Sequence, residues 1–158
     1  MILLLYGQPG SGKTTIAKAF MGLQYGSLLS GFRDFFHIDG DLLREATGNK
    51  GYDRASRMAN CRRANDIALY ALHMGYLPVM SVVHPYIEPR EELRMTGKAY
   101  IVMLDRLDDN YADGKEKYKV SDFEYEQNDL YIRTDIRSIS NTTNLIYLRY
   151  IEARNRQA

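Results

Sequence analysis

Tryptophan is absent from these 158 residues, cysteine occurs once and histidine three times. A lone Cys61 cannot close an internal disulfide, and with the scattered His37, His73 and His84 it supplies no zinc set; it is expected to be a small packing residue. A single thiol favours a reducing compartment, so the cytoplasm is the expected location. An excess of charge of either sign is missing too, since 21 Lys and Arg stand against 20 Asp and Glu for a net charge of +1. No global field draws this chain to nucleic acid or to an anionic membrane, so any anion site must be local. The 13 tyrosines are dispersed and lack the basic surface that nucleic-acid stacking requires. No apolar run approaches the roughly 18 residues of a membrane-spanning helix. Repeats, linkers and low-complexity stretches are also lacking, and a chain that is 45% hydrophobic and 26% charged has the profile of one domain over residues 1–158.

What is present is a series of short apolar runs. Ile2 to Tyr6 lacks the basic leader of a signal peptide and reads as a buried strand that leads straight into Gly7. A helix is expected from Gly12-Lys13, a strand at Phe35 to Ile38, and a turn at Asp39-Gly40-Asp41. From Arg54 to Met74 the apolar and small positions recur every three or four residues, as in an amphipathic helix, and Gly75 stops it. Leu77 to Val83 reads as a strand with Pro78 at its start, Glu88 to Met95 as a short helix, and Tyr100 to Leu104 as another buried strand. A polar, lid-like loop is expected near 105–127, then a strand at Leu130 to Ile132 and a closing helix capped by Ser138. Strands alternating with helices predict an α/β fold: a mostly parallel central sheet with helices on both faces, in three layers.

Gly7-Gln8-Pro9-Gly10-Ser11-Gly12-Lys13-Thr14 satisfies G-x-x-x-x-G-K-[ST] between a strand and a helix, which is the context a phosphate-binding P-loop requires. The glycines let backbone N–H groups converge on phosphate oxygens at a helix N-terminus. The expected ATP site runs from Gly7 to Thr15, with Lys13 at the β and γ phosphates and the Thr14 hydroxyl as a ligand of Mg²⁺. Such a loop establishes nucleotide binding and leaves the reaction open; a chain this short suits a compact kinase better than a larger NTPase.

Asp39 and Asp41 follow the second strand, at the sheet edge where ligands of open α/β folds bind. There they serve either as acids of a solvated turn or as a proton acceptor and metal-side carboxylate, with Arg44 beside them for an anion. The run from Gly51 to Arg63 brings Arg54, Arg57, Arg62 and Arg63 to one helix, and Arg57 shares a face with Asn60. Guanidinium geometry suits phosphate or sulfate, whereas a solvated, salt-bridged role fits Arg54 best.

These segments together resemble the adenylylsulfate (APS) kinases, which use Mg-ATP to phosphorylate the 3′-hydroxyl of adenosine 5′-phosphosulfate. The family pattern D-G-D-N-x-R is matched at Asp39, Gly40, Asp41 and Arg44. G-F-x-x-x-D-R-x-x-N-x-R-R is matched at Gly51, Arg57, Asn60, Arg62 and Arg63, with Tyr52 for Phe and Ser56 for Asp, and I-S-P-Y-x-x-x-R appears as Val83-His84-Pro85-Tyr86 through Arg90. A Thr-Asp before a capped last helix recurs as Thr134-Asp135 and Ser138. The resemblance implies that Asp41 acts as base or metal-side carboxylate, and that Asp39, Arg44, Arg57 and Asn60 contact the acceptor. It further implies that Tyr52 is an adenine-stacking wall, that Val83, His84 and Pro85 shape the pocket, and that the active form is often a homodimer.

Three departures stand out. His84 replaces the family's Ser, so a bulky imidazole is expected to narrow or reshape the acceptor pocket. The family's F-T-G-I-D-x-P-Y-E survives only as Asp122 to Glu126, where Phe123 is the candidate for a second aromatic wall. Lid arginines are missing, and Lys115, Lys117 and Lys119 either screen phosphates or form a solvated loop. With the first strand opening at Ile2, a reduced version of the family is expected. Phosphoryl transfer to another hydroxyl, on a nucleoside, a sugar or a modified base, stays open beside APS.

Overall fold

Five consecutive apolar residues with no exposed surface, Ile2–Tyr6, form β1 at the centre of the molecule. The computed structural model describes residues 1–23, 26–108 and 118–158. After β1 come α1 (Lys13–Met21), β2 (Phe35–Asp39), α2 (Gly40–Thr47), α3 (Arg54–His73), β3 (Leu77–Ser81), α4 (Ile87–Met95), β4 (Ala99–Asp105), β5 (Leu130–Arg133) and α5 (Ile139–Gln157). The strands form a single sheet in the order β2-β3-β1-β4-β5, with every neighbouring pair parallel.

Successive residues of a strand face opposite sides, and the two resulting cores explain why β1 is apolar throughout. Leu3 and Leu5 pack with Ile16 and Phe20 of α1 and with Ile146 and Tyr150 of α5. Ile2, Leu4 and Tyr6 face the other way, onto Ala64 and Ala68 of α3 and Leu93 of α4. Small residues on α3 let that helix lie close against the sheet. This is the three-layer P-loop arrangement expected, and all the strands deliver their C-terminal ends to one edge.

Two local features differ from the expectation. Asp39-Gly40-Asp41 is not a free turn: the Asp39 carboxylate accepts from the N–H groups of Asp41 and Leu42 and caps α2. Gly48, with φ 66, closes that helix. Its only buried residue is Gly40, while Leu43 packs part-buried against the core. Pro78 lies one residue into β3, opposite Phe36 on β2, while pairing with β1 starts at Val79. Its missing N–H therefore falls before the β1 ladder begins.

Gly7 is where β1 turns into the loop. A Cβ on it would sit 2.0 Å from the Leu104 carbonyl oxygen, a backbone atom that has nowhere to go. We expect Gly7→Ala to lower the unfolding free energy by about 3 kcal/mol, measured by urea titration; a wild-type midpoint would show that β1 and β4 are not this close.

Candidate active site

No side chain caps α1, whose N-cap is Gly12 in the left-handed conformation, φ 88. Its first-turn N–H groups are therefore left for an anion, reinforced by the helix dipole. Gly10 shares that conformation, φ 85, and both glycines meet the need of the loop for a backbone that side chains resist. Lys13 folds back over the loop, donating to Gln8 O at 2.7 Å and to Ser11 Oγ at 3.3 Å. From Pro9 to Thr15 the loop lines a cavity of about 780 Å³, apart from Ser11. Gly7, Gln8 and Ser11 support it from behind. Ser11 O accepts from Thr134 Oγ1 at 2.9 Å, and Thr134 Oγ1 also donates to Asp105 O at 3.1 Å.

At the end of β2, Asp39 joins the loop to the rest of the cavity. Thr14 Oγ1 donates to Asp39 Oδ2 at 2.8 Å, and Ser81 Oγ donates to the same oxygen at 3.2 Å. Since the Ser81 proton is committed there, His37 Nε2, 2.9 Å from Ser81 Oγ, is the donor in that contact. Burial alone would raise the Asp39 carboxyl, but hydrogen bonds from Thr14, from the Leu42 and Asp41 N–H groups and from Ser81 outweigh it and hold the group below the ordinary aspartate range. Oxygen donors from a hydroxyl and a carboxylate beside a phosphate loop fit Mg²⁺. Asp41, two residues on, is exposed and lines the same cavity, with no side-chain hydrogen bond among the described residues.

Opposite the loop stand two cations that α2 and α3 turn toward each other. Arg44 Nη1 donates to Gly51 O at 2.6 Å, and Arg57 Nε donates to Tyr52 O at 2.6 Å. Their guanidinium carbons lie 4.9 and 5.5 Å from the Tyr52 ring centroid. Burial, and then the Arg57 charge, push Arg44 below the ordinary arginine value. Neither arginine has an ion-pair partner among the described residues, so together they favour an incoming anion. Asn60 is buried on the same wall, its Oδ1 unpartnered among the described residues. Val83, His84 and Pro85 complete the wall. By contrast, Arg54 pairs with Asp122 and Glu124 at 3.0 and 3.1 Å, and Arg62 pairs with Glu88 and Glu92, so both are structural.

Phe123 is not the second aromatic wall. It is buried in the α3-side core and stacks on Tyr6, with centroids 6.1 Å apart and planes 2° from parallel. Tyr118 takes the place expected of it, lining the cavity 5.2 Å from the half-exposed Tyr52. Nor is the described part of the 105–127 loop loosely held. Gln8 exchanges two 2.9 Å hydrogen bonds with the backbone of Val120, and Arg90 reaches Glu124 O and Glu126 O at 2.5 and 2.9 Å. Lys119 is exposed, while Lys115 and Lys117 lie outside the described residues. His84 does not protrude as bulk either; it is fully buried, with Nε2 2.9 Å from Asn65 Oδ1. Sequence reasoning missed Ser81, His37, Tyr118 and Arg106, which also lines the cavity. A serine at the end of β3, level with Asp39 across the sheet, was the available signal.

Fold and loop together define a P-loop protein whose loop shares one cavity with Arg44 and Arg57. The model of the adenylylsulphate kinase family matches residues 1–113, and the chain belongs to that family. It is 30% identical over 99 residues to a cytidine diphosphoramidate kinase of Campylobacter jejuni, an alignment covering 63% of this chain and 56% of that protein. It is 31% identical over 100 residues to an adenylyl-sulfate kinase of Buchnera aphidicola, covering 62% and 47%. The chain thus spans about half the length of the curated relatives it matches. The APS kinase of Mycobacterium tuberculosis in complex with AMPPNP and APS superposes with a TM-score of 0.75 at 23% identity, over 94% of this chain and 96% of that one, a likeness of fold.

Two outcomes test these placements. Phe123→Ala should cost about 3 kcal/mol of stability and Tyr118→Ala less than about 0.5, both by urea unfolding; equal losses would put both rings in the core. Because the folded state holds Asp39 below its unfolded value, its contribution is present at neutral pH and disappears as pH falls through the folded value. Asp39→Asn should therefore flatten the acid side of a Tm-against-pH profile, and an unchanged acid slope would contradict the hydrogen bonding at Asp39.

Proposed function

We propose that this protein transfers the γ-phosphoryl group of Mg-ATP to a ribose hydroxyl of a nucleotide carrying an anionic 5′ group. Adenosine 5′-phosphosulfate and its 3′-hydroxyl are the acceptor that the sequence motifs favour. The observation that carries this reading is the shared cavity: Lys13 and Thr14 stand on one wall, Arg44 and Arg57 on another, with Asp41 open to the same space. A protein that only sensed ATP has no use for the second anion site.

In the proposed reaction the acceptor hydroxyl oxygen attacks the γ-phosphorus, a new P–O bond forms and the bond to the ADP oxygen breaks. The hydroxyl proton passes to the Asp41 carboxylate. Lys13 and the α1 N-terminus hold the donor phosphates, and Arg44 and Arg57 fix the 5′ group so that attack is in line. Thr14, with Asp39 behind it, would hold Mg²⁺, and the ion would supply charge neutralisation for the migrating group. Tyr52 and Tyr118 offer rings for the acceptor base, as aromatic stacking is tolerant of base identity.

A second acceptor class has support of its own. The Campylobacter relative is named a cytidine diphosphoramidate kinase, and His84 stands where the family pattern has a hydroxyl. On that reading the acceptor is a nucleotide whose phosphorus bears an amide.

ATP consumption measured with APS, with a nucleotide panel and without acceptor tests the proposal. Acceptor-dependent ADP release is expected, and acceptor-independent turnover alone would contradict it. Asp41→Asn should lower kcat by about 10²–10⁴-fold and leave ATP binding intact. Arg57→Ala should raise the acceptor KM about tenfold or more; an unchanged KM would remove the anion role given to Arg57.

A further inference from the structure

Gln8 is the second residue of the phosphate loop, yet it is buried and takes no part in lining the cavity, which the loop enters only from Pro9 onward. Its amide is used instead on a distant segment. Gln8 Nε2 donates to Val120 O and Gln8 Oε1 accepts from the Val120 N–H, both at 2.9 Å. An N–H only donates and a carbonyl oxygen only accepts, so the pair of contacts fixes which end of the amide faces which atom. Val120 is buried and lies outside any helix or strand, and the Gln8 side chain satisfies its two main-chain groups as a neighbouring strand would. The Gln8 backbone has a separate task, since Gln8 O accepts from Lys13 Nζ at 2.7 Å and from the Ser11 N–H at 3.2 Å.

The segment held in this way carries Tyr118 into the cavity. Tyr118 stands two residues before Val120, lines the cavity and is 38% exposed, so its ring is accessible to whatever enters. Its centroid lies 5.2 Å from that of Tyr52, the ring beside Arg44 and Arg57. Further along, the residue before the loop repeats the tie, as Tyr6 donates its hydroxyl proton to Tyr125 O at 2.9 Å. Residues 6 and 8 thus anchor positions 125 and 120, and Tyr118 projects from the nearer anchor. Positioning of this kind matters because a binding group displaced by about 1 Å loses much of its effect.

We propose, resting on the nucleotide-kinase reading above, that Gln8 is a positioning residue for the acceptor: through Val120 it sets the Tyr118 ring in the cavity wall, where the acceptor base stacks. A side chain of the phosphate loop then governs how well the acceptor is held, while the loop backbone and Lys13 serve the donor. Gln8 itself touches neither substrate.

The test is a double-mutant cycle of Q8M, similar in length and lacking the amide, with Y118A. KM values are measured for Mg-ATP and for adenosine 5′-phosphosulfate, cytidine 5′-diphosphate or uridine 5′-diphosphate, whichever the wild type turns over best. Q8M should raise the acceptor KM about tenfold and the ATP KM less than about threefold. Y118A should raise the acceptor KM at least as much, and the double variant no further, because Gln8 acts only through that ring. Hydrogen exchange at the Val120 amide should be faster in Q8M than in the wild type. An unchanged acceptor KM in Q8M or Y118A overturns the inference, as does an equal rise in the ATP KM, effects that add in the double variant, or unchanged exchange at Val120. Should Q8M fail to fold, Q8N replaces it; one methylene shorter, its amide cannot reach both Val120 groups, and the same outcomes decide. Wild-type ADP release that depends on none of the three acceptors sinks the kinase reading itself, and this inference with it.

Discussion

Asp39 Oδ2 receives two hydroxyls, Thr14 from the phosphate loop and Ser81 from β3, while the other oxygen of the same carboxylate caps α2. Most of the site's geometry follows from this one side chain. The bond from Thr14 sets the start of α1 against the end of β2, so the dipole of α1 and the Lys13 ammonium address the same space as the edge of the sheet. The cap fixes the direction of α2, which carries Asp41 and Arg44 into the cavity. Arg44 then reaches Gly51 O and positions the strand of chain that bears Tyr52. A chain without a carboxylate at this point would keep its sheet and lose the contacts that join the loop, β3 and the start of α2.

A second set of contacts closes the far side. Tyr6, the last residue of β1, presents its ring to Phe123 and its hydroxyl to Tyr125 O, and the Arg90 guanidinium lies 4.3 Å from the ring centroid. Arg90 is fully buried because its charge is spread over the carbonyls of His84, Glu124 and Glu126. The segment after β4 is thereby tied to the strand that feeds the phosphate loop, and Gln8 repeats the tie from the loop itself. Tyr118 reaches the cavity because Val120, two residues on, is held in this way, which links the Tyr118 ring to a glutamine in the glycine-rich loop.

Those parts of the molecule with a local signature were legible in the sequence. β1, β3 and β4 are continuous apolar runs because both faces are covered, α3 declares itself by its spacing, and the phosphate loop by its glycines. α2 escaped because it buries one residue and its cap, Asp39, has the same letters as a turn. Phe123 and Tyr118 could not be told apart, since which ring enters the core is decided by Tyr6, more than a hundred residues earlier. At His84 the sequence spoke of bulk, whereas the ring is buried, with Nε2 against Asn65 on α3 and the Asn65 amide on the Pro89 carbonyl of α4. Local patterns announce the scaffold and the glycine-rich loop; the opposite wall of the cavity is assembled from long-range contacts.

The central claim is that donor and acceptor phosphates meet in one cavity, and ³¹P NMR of a reaction mixture tests it most directly. With Mg-ATP and a nucleotide acceptor, a new phosphomonoester resonance should grow on the acceptor in step with ADP and be absent when the acceptor is withheld. Growth of inorganic phosphate with the acceptor unchanged would contradict the account.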